Sequence, residues 1–357
     1  MRLLIAAAFA LIAAPAFADP TIPTNDIIAG AVDNYIRPSF AQFDIDTGAL
    51  KSRMEALCAA PSAKAFASAQ AQFKTVVLSY SRIEFMHLGP LTIGNRAEQL
   101  LFWPDSKGIA LRQVQAALAQ KDPTAATPDS LKGKSVAMQG LGALEFVLFG
   151  TGNEALATTD GAYRCSYGQS IATLVNGVAA TLDAEWQDDT ADGPRSHMLD
   201  PKPDAQDYRT QKEVLEKVSG TMIVGTETIR DQRITPIIGA AEGQPRPRSA
   251  LFWRSGMTVP ALVANFQGLK DFFLAARFPD AVKGNLWISN GAIFEFDNAL
   301  SSLAKLTAPV EQLVTDTSAM QQLNYLVNIT HVSDTLLGDN LSGALGLTLG
   351  FSQLDGD

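Results

Sequence analysis

At 357 residues, 46% of them apolar, the chain is long enough for two ordinary domains with real cores, which excludes a disordered protein. A formal net charge of −9 disfavours nucleic acid and anionic membrane as partners. No segment beyond residue 18 has the long uncharged apolar run of a transmembrane span.

Residues 1–18, MRLLIAAAFALIAAPAFA, place one Arg before an apolar stretch and end in Ala16-Phe17-Ala18. This is the pattern of a secretory signal peptide with an A-x-A cleavage site, so the mature chain is expected to begin at Asp19 in the periplasm. No Cys follows the cleavage point, so nothing indicates a lipid anchor.

Residues 24–43 predict a first helix, with Ile27, Ile28, Ala31, Tyr35 and Ile36 at helical spacing and Pro38 expected to break or kink it. A second helix is expected over 47–58. The longest helical pattern covers 62–88 and ends at Gly89-Pro90. The FWPDSKG segment at 102–108 is turn chemistry, and a helix over 109–119 follows. Next comes the apolar run KSVAMQGLGALEFVLFG at 134–150, then a long helix over 160–186. Residues 187–207 lack apolar periodicity, are rich in Asp and Pro, and read as a linker or long surface loop. Further helices are expected over 208–234, ended by Thr235-Pro236, and over 258–276, 283–303 and 308–337. The tail from Gly338 is Gly-rich and apolar and is expected to pack on the body. No hairpin signal occurs. The class is therefore all-α, with a bundle over 19–186 and a second over 208–357.

A 150-residue shift relates the two halves. Arg96, Leu101, Phe102 and Trp103 match Arg246, Leu251, Phe252 and Trp253, and Glu145-Phe146 matches Glu295-Phe296. So long a period signals a duplicated domain rather than a solenoid. The two cysteines, Cys58 and Cys165, form a disulfide across the first unit if oxidised; two separate buried thiols are the other reading.

Glu145 is a lone carboxylate among Leu141, Leu144 and Leu148, and burying it demands a partner. It serves either as a ligand or proton-handling group in a pocket, or as a structural ion-pair partner of Arg82 or Arg96. Glu295 is its counterpart, with the structural role favoured. Arg96, Trp103, Arg246, Trp253 and Arg254 form a second constellation. Arg can clamp carboxylates or phosphates and Trp can stack on a flat ligand, although each Arg can also brace its own unit. Glu84-x-x-His87 and His331-x-x-Asp334 have helical metal-ligand spacing, but a di-iron bundle needs further inward carboxylates. No H-E-x-x-H, G-x-S-x-G, Gly-rich phosphate loop or C-x-x-C-H occurs.

FWPDSKG at 102–108, the apolar Gly140-to-Glu145 helix, FWRSG at 252–256 and GLTLGFSQLDGD at 346–357, in this order behind an export signal, resemble the imelysin family of exported, iron-regulated protein A-like proteins (peptidase family M75). The resemblance covers nearly the whole mature chain. It implies two four-helix-bundle domains, a periplasmic or outer-membrane-associated location and a link to iron uptake or regulation. The founding member is classed as a metallopeptidase. The family signature G-x-H-x-x-E stands here as Gly140-Leu141-Gly142-Ala143-Leu144-Glu145, with Gly142 in the place of the histidine. A His and Glu three apart on a helix can share a metal or a proton, and that pair is lost. The expected function is a non-catalytic binding protein with a ligand site near the interface of the two bundles. The ligand is a small molecule or is iron-related, with iron or another divalent metal as the implied cofactor and other periplasmic proteins as possible partners. The alternatives are a metallopeptidase in which Glu145 works on a bound metal, and a scaffold or interaction module.

Overall fold

The structure, a computed structural model, describes residues 20–239 and 244–347. The signal sequence at 1–18 and the tail from residue 348 lie outside the described residues. Ten helices of eight residues or more occur among those described, and no strand. They are α1 (Thr24–Ala31), α2 (Arg37–Ala59), α3 (Ala63–Ser81), α4 (Ile109–Gln120), α5 (Gly140–Phe149), α6 (Ala162–Trp186), α7 (Gln211–Glu227), α8 (Thr258–Ala275), α9 (Leu286–Leu303) and α10 (Thr317–Asp334). The fold is all-α, as expected.

Helices α2, α3, α5 and α6 pack in a ring, and α7, α8, α9 and α10 pack in a second. The apolar residues at helical spacing fill both centres. Phe40, Phe43, Phe73 and Trp186 are wholly buried in the first, and Phe266, Phe273 and Phe296 in the second. The disulfide Cys58–Cys165, with 5.5 Å between Cα atoms, ties the end of α2 to the start of α6. Helix α1 leaves the first ring and packs on α7 and α8, while α3 also packs on α8.

Three differences from the expected helices have physical causes. Pro38 does not break the first helix. Val32–Ile36 is a π-helical segment that joins α1 to α2, and Pro38 sits at the second position after this wider turn. A π segment spares the proline ring its clash with the preceding turn. The same device recurs at Thr228–Ile234, just before Thr235-Pro236.

Helix α3 ends at Ser81, not near residue 88. Residues after it dock on the second ring: Thr221 Oγ1 donates to Phe85 O (2.6 Å), and the His87 N–H donates to Thr221 Oγ1 (3.1 Å). Tertiary hydrogen bonds thus replace helical ones.

The 187–207 stretch holds a short helix at Pro194–Leu199 and is clamped to the first helical rod. Arg195 grips Asp33 with two hydrogen bonds (2.7 and 2.9 Å), and Arg37 pairs with Asp189 (3.0 Å).

Candidate functional site

Helix α5 starts at a glycine for a steric reason. Gly140 has φ +72°, and a Cβ there would lie 2.6 Å from Leu100 O and 2.7 Å from Gln99 O. Any side chain would push α5 off the segment before Phe102. At its other end, Arg164 caps the helix by donating to Val147 O (2.9 Å), Phe146 O (3.0 Å) and Thr151 O (2.9 Å). Glu145 is thereby held within an apolar helix, 4% exposed.

Its partner comes from the turn that leads into α8. Phe252 takes a left-handed conformation, φ +59°, which a bulky residue adopts at a cost. Burial of its ring edge-on to Phe73 (6.2 Å between centroids) offsets that cost, as does a hydrogen bond from Met257 N–H to Phe252 O (2.9 Å). The turn aims Ser255 at α5. The Ser255 N–H donates to Glu145 Oε1 (2.9 Å). The Ser255 hydroxyl oxygen lies 2.8 Å from the same carboxylate oxygen and 3.1 Å from Phe252 O. It has one proton for two acceptors, so a neutral Glu145 that donates to Ser255 also satisfies this geometry. Burial raises the Glu145 pKa above the ordinary carboxylate value, opposed by the Ser255 donors and by Arg254.

Arg254 extends over two rings, 4.5 Å from the Trp253 centroid and 5.2 Å from that of Phe146. Arg248 lies 5.5 Å from the Trp253 centroid, and Arg164 lies 5.8 Å from that of Phe146. Burial lowers the Arg254 pKa below its ordinary value, with Glu145 opposing and Arg248 adding to the depression. Gly142, one turn before Glu145, is open: the nearest atom to a Cβ built there is Leu101 Cδ1 at 4.0 Å. Glu145, Ser255, Arg254, Trp253, Phe146 and Arg248 are thus linked by these contacts, and Gly142 lies one helical turn before Glu145 on α5.

Other expected site residues lie elsewhere. Arg82 pairs with Asp271, and Arg96 makes a bidentate pair with Glu185 (2.7 Å each) and donates to Pro90 O (2.8 Å). Neither is the partner of Glu145, which corrects that expectation. The Trp103 indole N–H donates to Gln232 O (3.0 Å). Arg246 is exposed, and Glu295 is half-buried with no hydrogen bond or ion pair among the described residues.

Glu84 lies in a turn, bound by Arg233 (2.6 Å) and Asn265, while the His87 ring is exposed. Asp334 pairs with Arg230 and accepts from Thr226, and His331 is exposed. No group of three or more His, Cys, Asp or Glu in metal-binding proximity occurs among the described residues. At the site itself the donor set does not fit a divalent metal. It offers one carboxylate, engaged by Ser255 and faced by a guanidinium, with glycine where the family places an imidazole.

The sequence reading missed Ser255 as a partner, though it lies in the FWRSG segment beside Arg254. It also missed the buried Arg233–Glu84–Asn265 cluster, for which the sequence carries no pattern.

The profile of the imelysin family, peptidase M75, matches residues 36–336. An imelysin-like protein from Psychrobacter arcticum 273-4 superposes with a TM-score of 0.76 at 16% identity, over 94% of this chain and 100% of that one. An iron-regulated protein A precursor from Parabacteroides distasonis ATCC 8503 superposes with a TM-score of 0.75 at 14% identity, over 92% and 97%. At these identities the two structures show the shared fold. No curated protein matches the chain. With an apolar Gly140-to-Glu145 helix at its centre and a profile match over most of its length, the chain belongs to the imelysin family.

Proposed function

We propose that this is an exported, periplasmic imelysin-like protein that binds a ligand rather than cutting a peptide, in the service of iron uptake or regulation. The ligand site is the space beside Gly142, bounded by Glu145, Trp253 and Arg254, where α5 of one bundle meets the turn before α8 of the other. One observation carries the reading. A buried carboxylate is held in place by Ser255, while the position one turn before it lacks a side chain and would take a Cβ without a clash. A pocket with a few fixed polar groups suits a binding site. Peptide hydrolysis of the metallopeptidase type needs three protein ligands and a metal-bound water. The donor set at Glu145 does not supply the ligands. Family membership and the iron-regulated relative support the link to iron.

Restoring the histidine tests this. Gly142→His places an imidazole one helical turn from Glu145, at a position where the Cβ meets nothing closer than Leu101 Cδ1 at 4.0 Å. The expected outcome is that zinc titration and elemental analysis find no metal in the parent, that Gly142→His gains zinc affinity over the parent, and that the parent leaves peptide substrates intact. Stoichiometric metal in the parent, lost on Glu145→Ala, overturns the non-catalytic reading and makes a peptidase the better one.

A further inference from the structure

The segment from Arg246 to Ser255 carries three arginines, and two of them, Arg248 and Arg254, meet at the Trp253 ring. Elsewhere among the described residues an Arg that is not exposed is matched by acceptors: Arg96 by Glu185, Arg195 by Asp33, Arg233 by Glu84, and Arg164 by backbone carbonyls. Among the described residues, Arg248 and Arg254 form no ion pair and donate no side-chain hydrogen bond. Their partners are ring faces. The two share the Trp253 ring, at 5.5 and 4.5 Å from its centroid, so two like charges are held close together. Arg246, two residues before Arg248, is exposed and likewise makes no side-chain contact of this kind among the described residues. The carboxylate nearest in effect to Arg254 is Glu145, which is turned to Ser255. In a chain of net charge −9, this is a locally positive site.

Two guanidiniums without counter-ions, both over the Trp253 ring and Arg254 also over Phe146, are placed to donate paired hydrogen bonds to an oxyanion. The ring contacts leave their N–H donors without protein acceptors among the described residues. The same charges repel a bare cation. We infer that the site takes an organic or inorganic oxyanion, bearing carboxylate or phosphate groups, through Arg248 and Arg254, with the half-buried Trp253 ring as its floor, and that it does not take a free metal ion. The inference rests on the ligand site proposed at Gly142 and Glu145 and names the chemistry of what enters it. A metal could arrive there only as part of a complex with net negative charge.

Calorimetric titration of the purified protein with citrate, with inorganic pyrophosphate and with zinc chloride tests it. Citrate or pyrophosphate is expected to bind the parent. Affinity is expected to fall roughly tenfold or more in Arg248→Gln, with part of it retained in Arg248→Lys, and to weaken as salt is raised. Arg248 is exposed, so these variants should fold. The tighter of the two anions separates carboxylate from phosphate recognition. Zinc binding that Glu145→Ala abolishes, with neither anion bound, overturns the inference and leaves a ligand site at Glu145 standing. Anion binding unchanged in both Arg248→Gln and Arg254→Gln places the anion elsewhere and also overturns it. Silence of all three probes overturns it too, and the Gly142→His titration then decides separately whether the proposed site stands.

Discussion

Glu145 shows what a single buried carboxylate demands of a fold. In the sequence it stands alone in an apolar helix, which was enough to require a partner. The partner was not legible, because Ser255 lies 110 positions away and a serine gives no pattern of its own. The arginines that looked suitable, Arg82 and Arg96, are engaged with Asp271 and Glu185. Burial raises the Glu145 pKa in the folded state, whereas an unfolded Glu titrates near ~4.3. Between those two values the folded state binds more protons than the unfolded one. Stability therefore falls as pH rises from about 4 through the folded pKa, then levels off. Glu145→Gln keeps an acceptor for Ser255 and cannot ionise. It is expected to match the parent near pH 4 and to be more stable at pH 8, each unit of raised pKa being worth about 1.4 kcal/mol. Urea midpoints of both proteins at the two pH values check this. A Gln variant that is less stable at pH 8 would mean that Arg254 and Ser255 hold the group ionised.

At the scale of elements, helical periodicity located the helices well and their ends less well. The starts and ends that moved did so because of contacts distant in sequence. Helix α3 stops at Ser81 because Thr221 captures the backbone at Phe85 and His87. The first helix runs through Pro38 because a π segment precedes it, and no residue pattern announces such a segment. The Gln232 carbonyl, in the π segment that precedes Pro236, accepts the Trp103 indole N–H (3.0 Å). A backbone carbonyl of one bundle thus holds an aromatic residue of the other. The end of α5 depends on Arg164 in a similar way. Its guanidinium meets three carbonyls of the last helical turn and the following turn, of which Phe146 O also accepts from the Gly150 N–H (2.8 Å), and it favours the negative end of the helix dipole. Arg164→Gln loses most of these bonds. It is expected to lower the unfolding free energy by about 2–3 kcal/mol, with an unchanged urea m-value. An effect below about 0.5 kcal/mol would show that water replaces the guanidinium without loss.

The whole molecule reads in the sequence as two helical units with a shift of 150 residues, and the chain folds into two four-helix rings, yet that shift does not carry one ring onto the other: it lays α4, outside the first ring, on α8, a member of the second. The matched positions nevertheless sit in unlike surroundings. Glu145 is buried and Glu295 half-buried; Arg96 is paired and Arg246 exposed; Trp103 hydrogen-bonds a backbone carbonyl while Trp253 carries two guanidiniums. The contacts between the rings are not repeated, and the candidate site is built from those contacts. The rod formed by α1 and α2 is one of them, since its first part packs on the second ring and its remainder on the first. Gly30 is where the rod meets α8. A Cβ there would lie 2.6 Å from Ala275 O, a backbone atom that cannot swing aside. By helix propensity alone, Gly30→Ala should stabilise α1 by about 1 kcal/mol. The close approach outweighs this, because overpacking against backbone costs roughly 1–3 kcal/mol and lifts α1 away from the second ring. The expected result in calorimetry is a single cooperative unfolding transition for the parent and a lower transition temperature for Gly30→Ala. If the variant instead melts higher, the rod has room to shift and the two rings are coupled chiefly by α3 on α8 and by Glu145 on Ser255.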